Sequence, residues 1–294
     1  MPTPPIFSPA KINLFLAVTG RRADGFHDLV SVVAPLDFGD HLEVAPGPDR
    51  GFTLECNDPA VPTDDSNLVL RAARGFAAAS GWGGGAHFRL EKRIPVGAGL
   101  GGGSSNAIAA LRALNDLAGG PLDSAALFAL AAALGSDCPL FLQNMPVVLR
   151  GRGDGVTPLP APAATRLRGR QLLLFKPAFA ISTHWAYGRM AAGAPLHYLA
   201  AEAAESRLAA WLEGRTMTED FLFNNMETVV FAKFLALPVL LAVLRAEFGL
   251  AVRMSGSGSA CFALLAEGAP VAAITTRIRE FWGPAAFVAT AKIS

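Results

Sequence analysis

Charge is scarce in this chain of 294 residues: Asp, Glu, Lys and Arg make up 17% of it. The 25 basic and 24 acidic residues leave a formal net charge of +1, so there is no basic surface to suggest nucleic acid or an anionic membrane as partner. Cysteine is rarer still. Cys56, Cys138 and Cys261 are odd in number and widely spaced, unlike a disulfide framework or a metal-binding set. Long apolar runs are missing too. The stretch from Leu235 to Val243 is too short to cross a bilayer and is interrupted by Pro238. The opening Met1-Pro2-Thr3-Pro4-Pro5 has neither the basic start nor the apolar core of a signal peptide. No internal repeat is present. These absences set the expectation of a cytoplasmic protein that binds neither membrane nor nucleic acid.

What the chain does have is apolar content, at 52%, and enough length to bury the core of two domains or of one large one. Its most distinctive stretch is Arg93-Ile94-Pro95-Val96-Gly97-Ala98-Gly99-Leu100-Gly101-Gly102-Gly103-Ser104-Ser105-Asn106. His87 to Ile94 reads as a strand before it. After it, Ala107, Ile108, Leu111, Leu114 and Ala118 recur at helical spacing. Glycine lets a backbone approach a ligand closely and adopt positive φ, and the first N–H groups of a helix favour an anion. Ser104 and Ser105 add hydroxyls and a capping side chain. A nucleotide polyphosphate is the expected occupant; a tight strand-to-helix connection is the plainer alternative. Two common nucleotide signatures do not fit. The run satisfies G-x-G-x-x-G, but the acidic residue wanted about 20 positions on falls at Asn115-Asp116, inside the helix. The Gly-Lys-Ser/Thr ending of a P-loop is absent.

Along the chain, Pro9 to Gly20 reads as a strand with Ile12, Leu14, Leu16 and Val18 on one face and Lys11 and Asn13 on the other. Taken alone, that second face is either solvated or functional. Arg21 to Gly25 is a turn, leading through Phe26 and His27 to an apolar run from Leu29 to Leu36. Asp37 to Asp40 reads as another turn, with short strands at His41–Val44 and Gly51–Cys56. Helices are expected at Asn67–Ala79 and from Pro121 to Leu134, the latter ending at Gly135. Asp137, between that helix and Pro139, is a turn residue unless context says otherwise. Gly151 to Ala164 suggests a domain junction. Beyond it come a buried strand at Leu172–Phe175, helices at Ala200–Glu213, over Phe221–Leu235 with a start near Asn224-Asn225, and at Val239–Phe248, and strands at Leu250–Met254 and Cys261–Leu265. The last two flank Ser255-Gly256-Ser257-Gly258-Ser259, either a hairpin connection or a second glycine loop of the site. A helix at Val271–Phe281 and a strand at Ala286–Ala291 close the sequence.

The order of these parts resembles the GHMP kinases over nearly the whole chain. Pro9-Ala10-Lys11-Ile12-Asn13-Leu14 looks like the first motif of that superfamily, Gly97 to Asn106 the second and Met254 to Ala260 the third. The resemblance implies an α+β fold in two domains. Residues 1–156 would form an ATP-binding domain like the second domain of ribosomal protein S5. Residues 157–294 would form a ferredoxin-like domain whose last strand, 285–294, would pack back on the first. Within the superfamily, Gly20-Arg21-Arg22-Ala23-Asp24-Gly25-Phe26-His27 and Gly135-Ser136-Asp137-Cys138-Pro139 resemble the members that phosphorylate the tertiary 2-hydroxyl of cytidine diphosphate methylerythritol, a step of non-mevalonate isoprenoid synthesis.

By that resemblance Asp137 is the catalytic base, and Lys11 keeps it ionised and offsets charge on the phosphoryl group. ATP would be bound by Pro95, Val96, Gly97, Ala98, Gly99, Leu100, Gly101, Gly102, Gly103, Ser104 and Ser105, with Mg²⁺ carried by the nucleotide and no metal-binding residues of the chain's own. Asn13, Phe26, His27, Asp137, Thr183 and Tyr187 would contact the alcohol substrate. The cytosine would lie between Phe26 and Tyr187, with His27 at its edge. Phe26 stands where the family carries tyrosine; it keeps the stacking face and lacks the hydroxyl. A monomer or weak homodimer is expected. A GHMP enzyme acting on homoserine or mevalonate is the alternative that Asp24-Gly25-Phe26-His27 opposes. A non-catalytic nucleotide-binding module is the one that Lys11 and Asp137 oppose.

Overall fold

A computed structural model describes residues 4–47 and 51–294; Met1 to Thr3 of the opening stretch read above lie outside it. In chain order the elements are β1 (Ile6–Arg21), β2 (His27–Gly47), β3 (Phe52–Cys56), α1 (Leu68–Ser80), β4 (Gly85–Glu91), α2 (Gly102–Leu117) and α3 (Ser124–Leu134). A short 3₁₀ turn (Pro139–Leu142) leads to β5 (Val147–Arg150), β6 (Gly155–Pro158), α4 (Ala161–Leu167), β7 (Gln171–Lys176), α5 (Thr183–Ala192) and α6 (Ala201–Leu212). Then follow α7 (Thr218–Phe221), β8 (Phe223–Asn224), α8 (Met226–Phe231), α9 (Ala236–Phe248), β9 (Ala251–Met254), β10 (Cys261–Leu264), α10 (Val271–Trp282) and β11 (Phe287–Lys292). The class is α+β, as the motif order implied. None of the helices among the described residues is long and apolar enough to cross a membrane.

By backbone contacts the chain forms two compact units whose segments alternate along the sequence. The first comprises residues 1–10, 38–96 and 101–144. Its strands run in the order β3, β4, β2, with β3 parallel to β4 and β2 antiparallel to it. Helix α1 packs on α2 and α3. Asn67 caps α1, its side chain accepting the Val69 N–H, and Asp123 caps α3 through the Ala126 N–H. The apolar stripe read from the sequence, Ala107, Ile108, Leu111 and Leu114, is the buried face of α2.

The second unit comprises residues 11–37, 97–100 and 145–294. One of its sheets is antiparallel, in the order β11-β7-β10-β9, and α9 packs on β9 and α10. The other joins the second half of β1 to β8, and the first half of β2 to the hairpin β5–β6. Phe221 lies between Phe15 and Trp211, with ring centroids at 4.8 and 4.5 Å and near-parallel planes. The terminal strand returns to residues of the early chain: the Lys292 N–H reaches the Asp37 carboxylate and the Ser294 N–H the Pro35 carbonyl.

Two local expectations are overturned and a third holds in part. Asp37–Asp40 is not a turn, because β2 runs through it unbroken for 21 residues. Gly39 is there because β1 approaches closely: a Cβ would lie 2.3 Å from the Ser8 carbonyl oxygen. Gly151–Asp154 is the turn of the β5–β6 hairpin rather than a junction. Of the helix read over Phe221–Leu235, the start near Asn224-Asn225 holds, with Asn225 at the N-cap of α8, but the helix ends at Phe231 and the residues before it belong to α7 and β8.

Candidate active site

In the second unit, Lys11 and Asn13 point the same way from β1, as residues two apart on a strand must. That face is not solvated: the two side chains are 3% and 5% exposed. Lys11 Nζ donates to Asn13 Oδ1 at 2.7 Å, and Asn13 Nδ2 donates to Ser31 Oγ at 2.9 Å. Ser31 in turn donates to the Phe15 carbonyl, a bond that ties β2 to β1 and fixes the Asn13 amide orientation.

The first half of the glycine loop belongs to this unit. Gly97 and Gly99 take φ of +62° and +75°, while Ala98 and Leu100 between them are buried. The carbonyls of three successive residues are all occupied. Ala98 O accepts from Ala260 N at 3.0 Å, Gly99 O from Ser255 Oγ at 3.1 Å and Leu100 O from Lys11 N at 2.9 Å. A trans peptide points its N–H opposite to its carbonyl. The N–H groups of Gly99, Leu100 and Gly101 therefore turn away from the core, and among the described residues they have no backbone acceptor. Such a row of N–H groups is an anion cradle.

The loop Ser255–Ser259 joins β9 to β10, so it is a hairpin connection, yet it also braces the first loop. Besides the Ser255 bond, a Cβ on Gly256 would lie 3.2 Å from Gly99 O and 3.4 Å from both Lys11 Nζ and Asn13 Oδ1. Thr183, at the start of α5, shares a hydrogen bond of 2.8 Å with Ser257 Oγ.

The ring cluster at the start of β2 also lies in this unit. His27 is buried rather than a surface histidine, with its ring centroid 4.9 Å from Tyr187 and 5.9 Å, edge-on, from Tyr198. Its Nε2 and the Tyr198 hydroxyl are buried without a hydrogen-bond partner. Burial, with a smaller contribution from Arg21, lowers the His27 pKa and favours the neutral ring. Phe26 is half exposed, and its ring lies 5.2 Å beneath the Arg152 guanidinium.

In the first unit the second half of the loop opens α2. Gly101, at φ +74°, precedes the helix without a side-chain cap. Ser105 does not serve as the cap expected of it. It is buried, accepts a hydrogen bond from Ser8 Oγ at 2.8 Å, and closes the first helical turn through its N–H to Gly101 O. The helix start rests on a buried network. The Asp40 carboxylate accepts from Arg93 N, Ile94 N, Lys92 Nζ (2.5 Å) and Asn106 Nδ2 (2.9 Å). Asn106 Nδ2 also donates to Ser8 Oγ. Asp137 is half-buried in the turn between α3 and the 3₁₀ turn. Its neighbour Cys138 hydrogen-bonds Ser104 near the start of α2, and burial pushes that thiol up to about 11. Pro95 and Val96 lead into the loop, the latter exposed.

Sequence reasoning missed Ser8, Ser31, Asp40, Lys92, Tyr198 and Asn224. One signal was present: Asp40 sits within an apolar alternation, where a solvated turn residue is out of place.

Models of the GHMP kinase N-terminal and C-terminal domains match residues 67–149 and 200–283, together more than half of the chain. The chain belongs to the GHMP kinases. This GHMP kinase is 41% identical over 272 residues to the 4-diphosphocytidyl-2-C-methyl-D-erythritol kinase of Synechococcus sp. (strain CC9902), covering 89% of this chain and 87% of that protein. It is 38% identical to the protein of the same name from Salinibacter ruber, over 89% and 90% of the two chains. A crystal structure of 4-(cytidine 5'-diphospho)-2C-methyl-D-erythritol kinase superposes with a TM-score of 0.77 at 36% identity, over 99% of this chain and 100% of that one. The Methanococcus jannaschii mevalonate kinase shares the fold, with a TM-score of 0.73 at 13% identity over 99% and 98%.

Proposed function

We propose that this GHMP kinase transfers the γ-phosphoryl group of ATP to the 2-hydroxyl of 4-diphosphocytidyl-2-C-methyl-D-erythritol, giving the 2-phosphate and ADP, in isoprenoid precursor synthesis. The observation that carries this reading is the shared activity of full-length relatives, together with the carbonyl-anchored row of N–H groups at Gly99 to Gly101. Phosphoryl transfer needs alignment, charge neutralisation and a proton acceptor more than covalent help from the protein.

Each need has a candidate. The loop from Pro95 to Ser104 and the α2 N-terminus, with their N–H groups and the Ser104 hydroxyl, hold the polyphosphate. Ser105 acts by locking the helix start. Asp137 takes the proton of the 2-hydroxyl as that oxygen attacks the γ-phosphorus and ADP leaves. Lys11, desolvated on β1, offsets charge on the phosphoryl oxygens, and its bond to Asn13 fixes where the ammonium stands. Asn13 and Thr183 position the alcohol. His27, Tyr187 and Phe26 receive the cytosine: stacking faces surround a neutral imidazole whose Nε2 has no partner of its own. Mg²⁺ arrives with the nucleotide and takes its ligands largely from the phosphates and water. The enzyme works in the cytoplasm as a monomer or weak homodimer.

ADP release with Mg-ATP and the cytidine substrate, in wild type and Asp137→Ala, tests this. Loss of about 10²–10⁴-fold in kcat is expected for removal of a general base. Wild-type turnover only on another alcohol, such as homoserine or mevalonate, would move the specificity. Full activity of the variant would remove Asp137 from the mechanism.

A further inference from the structure

Between α7 and α8 the chain crosses the unit core at Asn224, which is 4% exposed. Its backbone pairs with Leu16 of β1, the strand that carries Lys11 and Asn13. Its side chain faces the loop between β9 and β10: Nδ2 donates to Met254 O at 2.9 Å and to Gly256 O at 2.8 Å. Oδ1 accepts from Met226 N at 3.0 Å, so every good donor and acceptor of the amide is used and only one flip state fits. Glu227 adds a second pin, accepting the Met254 N–H at 2.9 Å.

We propose that Asn224 is a positioning residue for phosphoryl transfer, acting through the Ser255–Ser259 turn. The two carbonyls it holds bracket Ser255, whose hydroxyl holds Gly99 O. Gly256 in this turn leaves no room for a side chain there: a Cβ on it would lie 3.2 Å from Gly99 O and 3.4 Å from Lys11 Nζ and Asn13 Oδ1. One amide thus sets where the turn stands relative to the polyphosphate loop and the Lys11 ammonium. Replacing the NH₂ by a carboxylate oxygen would set it against two carbonyls. The turn would then withdraw, and with it the Ser255 donor. The inference rests on the kinase reading given above.

A neighbouring residue supplies a matched control. Asn225, 8% exposed, uses its amide the same way on a different stretch of backbone: Nδ2 donates to Val18 O and His197 O, and Oδ1 accepts from Val18 N. Asn224→Asp and Asn225→Asp therefore remove the same kind of bonds at similar depth. The measurements are melting temperature, kcat with Mg-ATP and the cytidine substrate well below the melting point, and affinity for a fluorescent ATP analogue. Both variants are expected to melt earlier. Only Asn224→Asp should lose kcat, by about 10–100-fold, as expected of a displaced reacting frame, and bind the ATP analogue about tenfold more weakly.

Equal kcat and equal nucleotide affinity in the two variants would overturn the proposal, since a merely structural asparagine moves stability alone. If Asn224→Asp does not fold, Asn224→Ser against Asn225→Ser makes the same comparison. A wild type that binds the ATP analogue yet turns over no cytidine substrate would sink the reading of that substrate. In that case the nucleotide affinity of the two variants still decides the role of Asn224.

Discussion

Gly99 allows a quantitative test of how the two glycine-serine loops depend on one another. It occupies φ +75°, and a Cβ built there would lie 2.3 Å from Ser255 O and 3.1 Å from Gly258 N and O. Those neighbours are backbone, so no side chain can swing aside. Gly99→Ala therefore carries two costs. The left-handed conformation costs an L-residue about 1–2 kcal/mol. Forcing a methyl into a filled site adds about 1–3 kcal/mol, for roughly 2–5 kcal/mol in all. Gly249, in the same compact unit, separates the two. It has φ +64° with nothing within 4 Å of its built Cβ, so Gly249→Ala bears the conformational cost alone. Parallel denaturant melts should place Gly99→Ala below Gly249→Ala by the packing difference. ATP affinity should fall only in the former, because relief of the clash breaks the Ser255 to Gly99 bond. Equal stability losses, or unchanged ATP affinity in Gly99→Ala, would show that the second loop does not support the first.

Two other perturbations follow from buried charge. Lys92→Met leaves the Asp40 carboxylate, with no exposed side-chain surface, without its cation, and should cost about 3–5 kcal/mol in a urea melt. Asp40→Asn combined with Lys92→Met should recover part of it; a single variant as stable as wild type would refute the network's role. For His27 the folded pKa is depressed below its ordinary 6.5, so the unfolded chain binds more protons in the window just below that value. Stability must then fall as pH drops through that window, and His27→Phe should flatten this part of a melting-temperature profile. An unchanged slope in the variant would count against a buried, neutral ring.

Much of this was legible in the sequence wherever one residue's chemistry and its spacing agreed. The strand-loop-helix around Gly97–Asn106, the shared face of Lys11 and Asn13, and the caps at Asn67 and Asp123 follow from local rules. What escaped depended on distant partners. Asp40 reads as a turn residue until Lys92 and Asn106, 52 and 66 positions away, are seen to take its oxygens. Asn224-Asn225 does precede a helix, as read, but the use of both amides is set by the carbonyls of Met254, Gly256 and Val18, far away in the sequence. Gly39 looks like turn chemistry, but it answers to the close passage of Ser8. Ser105 carries a capping residue's identity, and only Ser8 reveals that its hydroxyl faces inward.

The alternation of segments between the compact units has a consequence for how the protein is made. Every residue of the first unit has been synthesised once Asn144 is added, so its sheet and three helices can close while the rest of the chain is still being translated. The second unit has no such early point. Its stretch of β1 waits for Phe223 and Asn224, and Leu36 waits for Ile293, next to the last residue. Half of each long strand is therefore settled early and half late. A ribosome that stalls beyond residue 144 would hold a nascent chain with one folded unit and with β1 and β2 paired to each other but each lacking a later partner, β8 and β5.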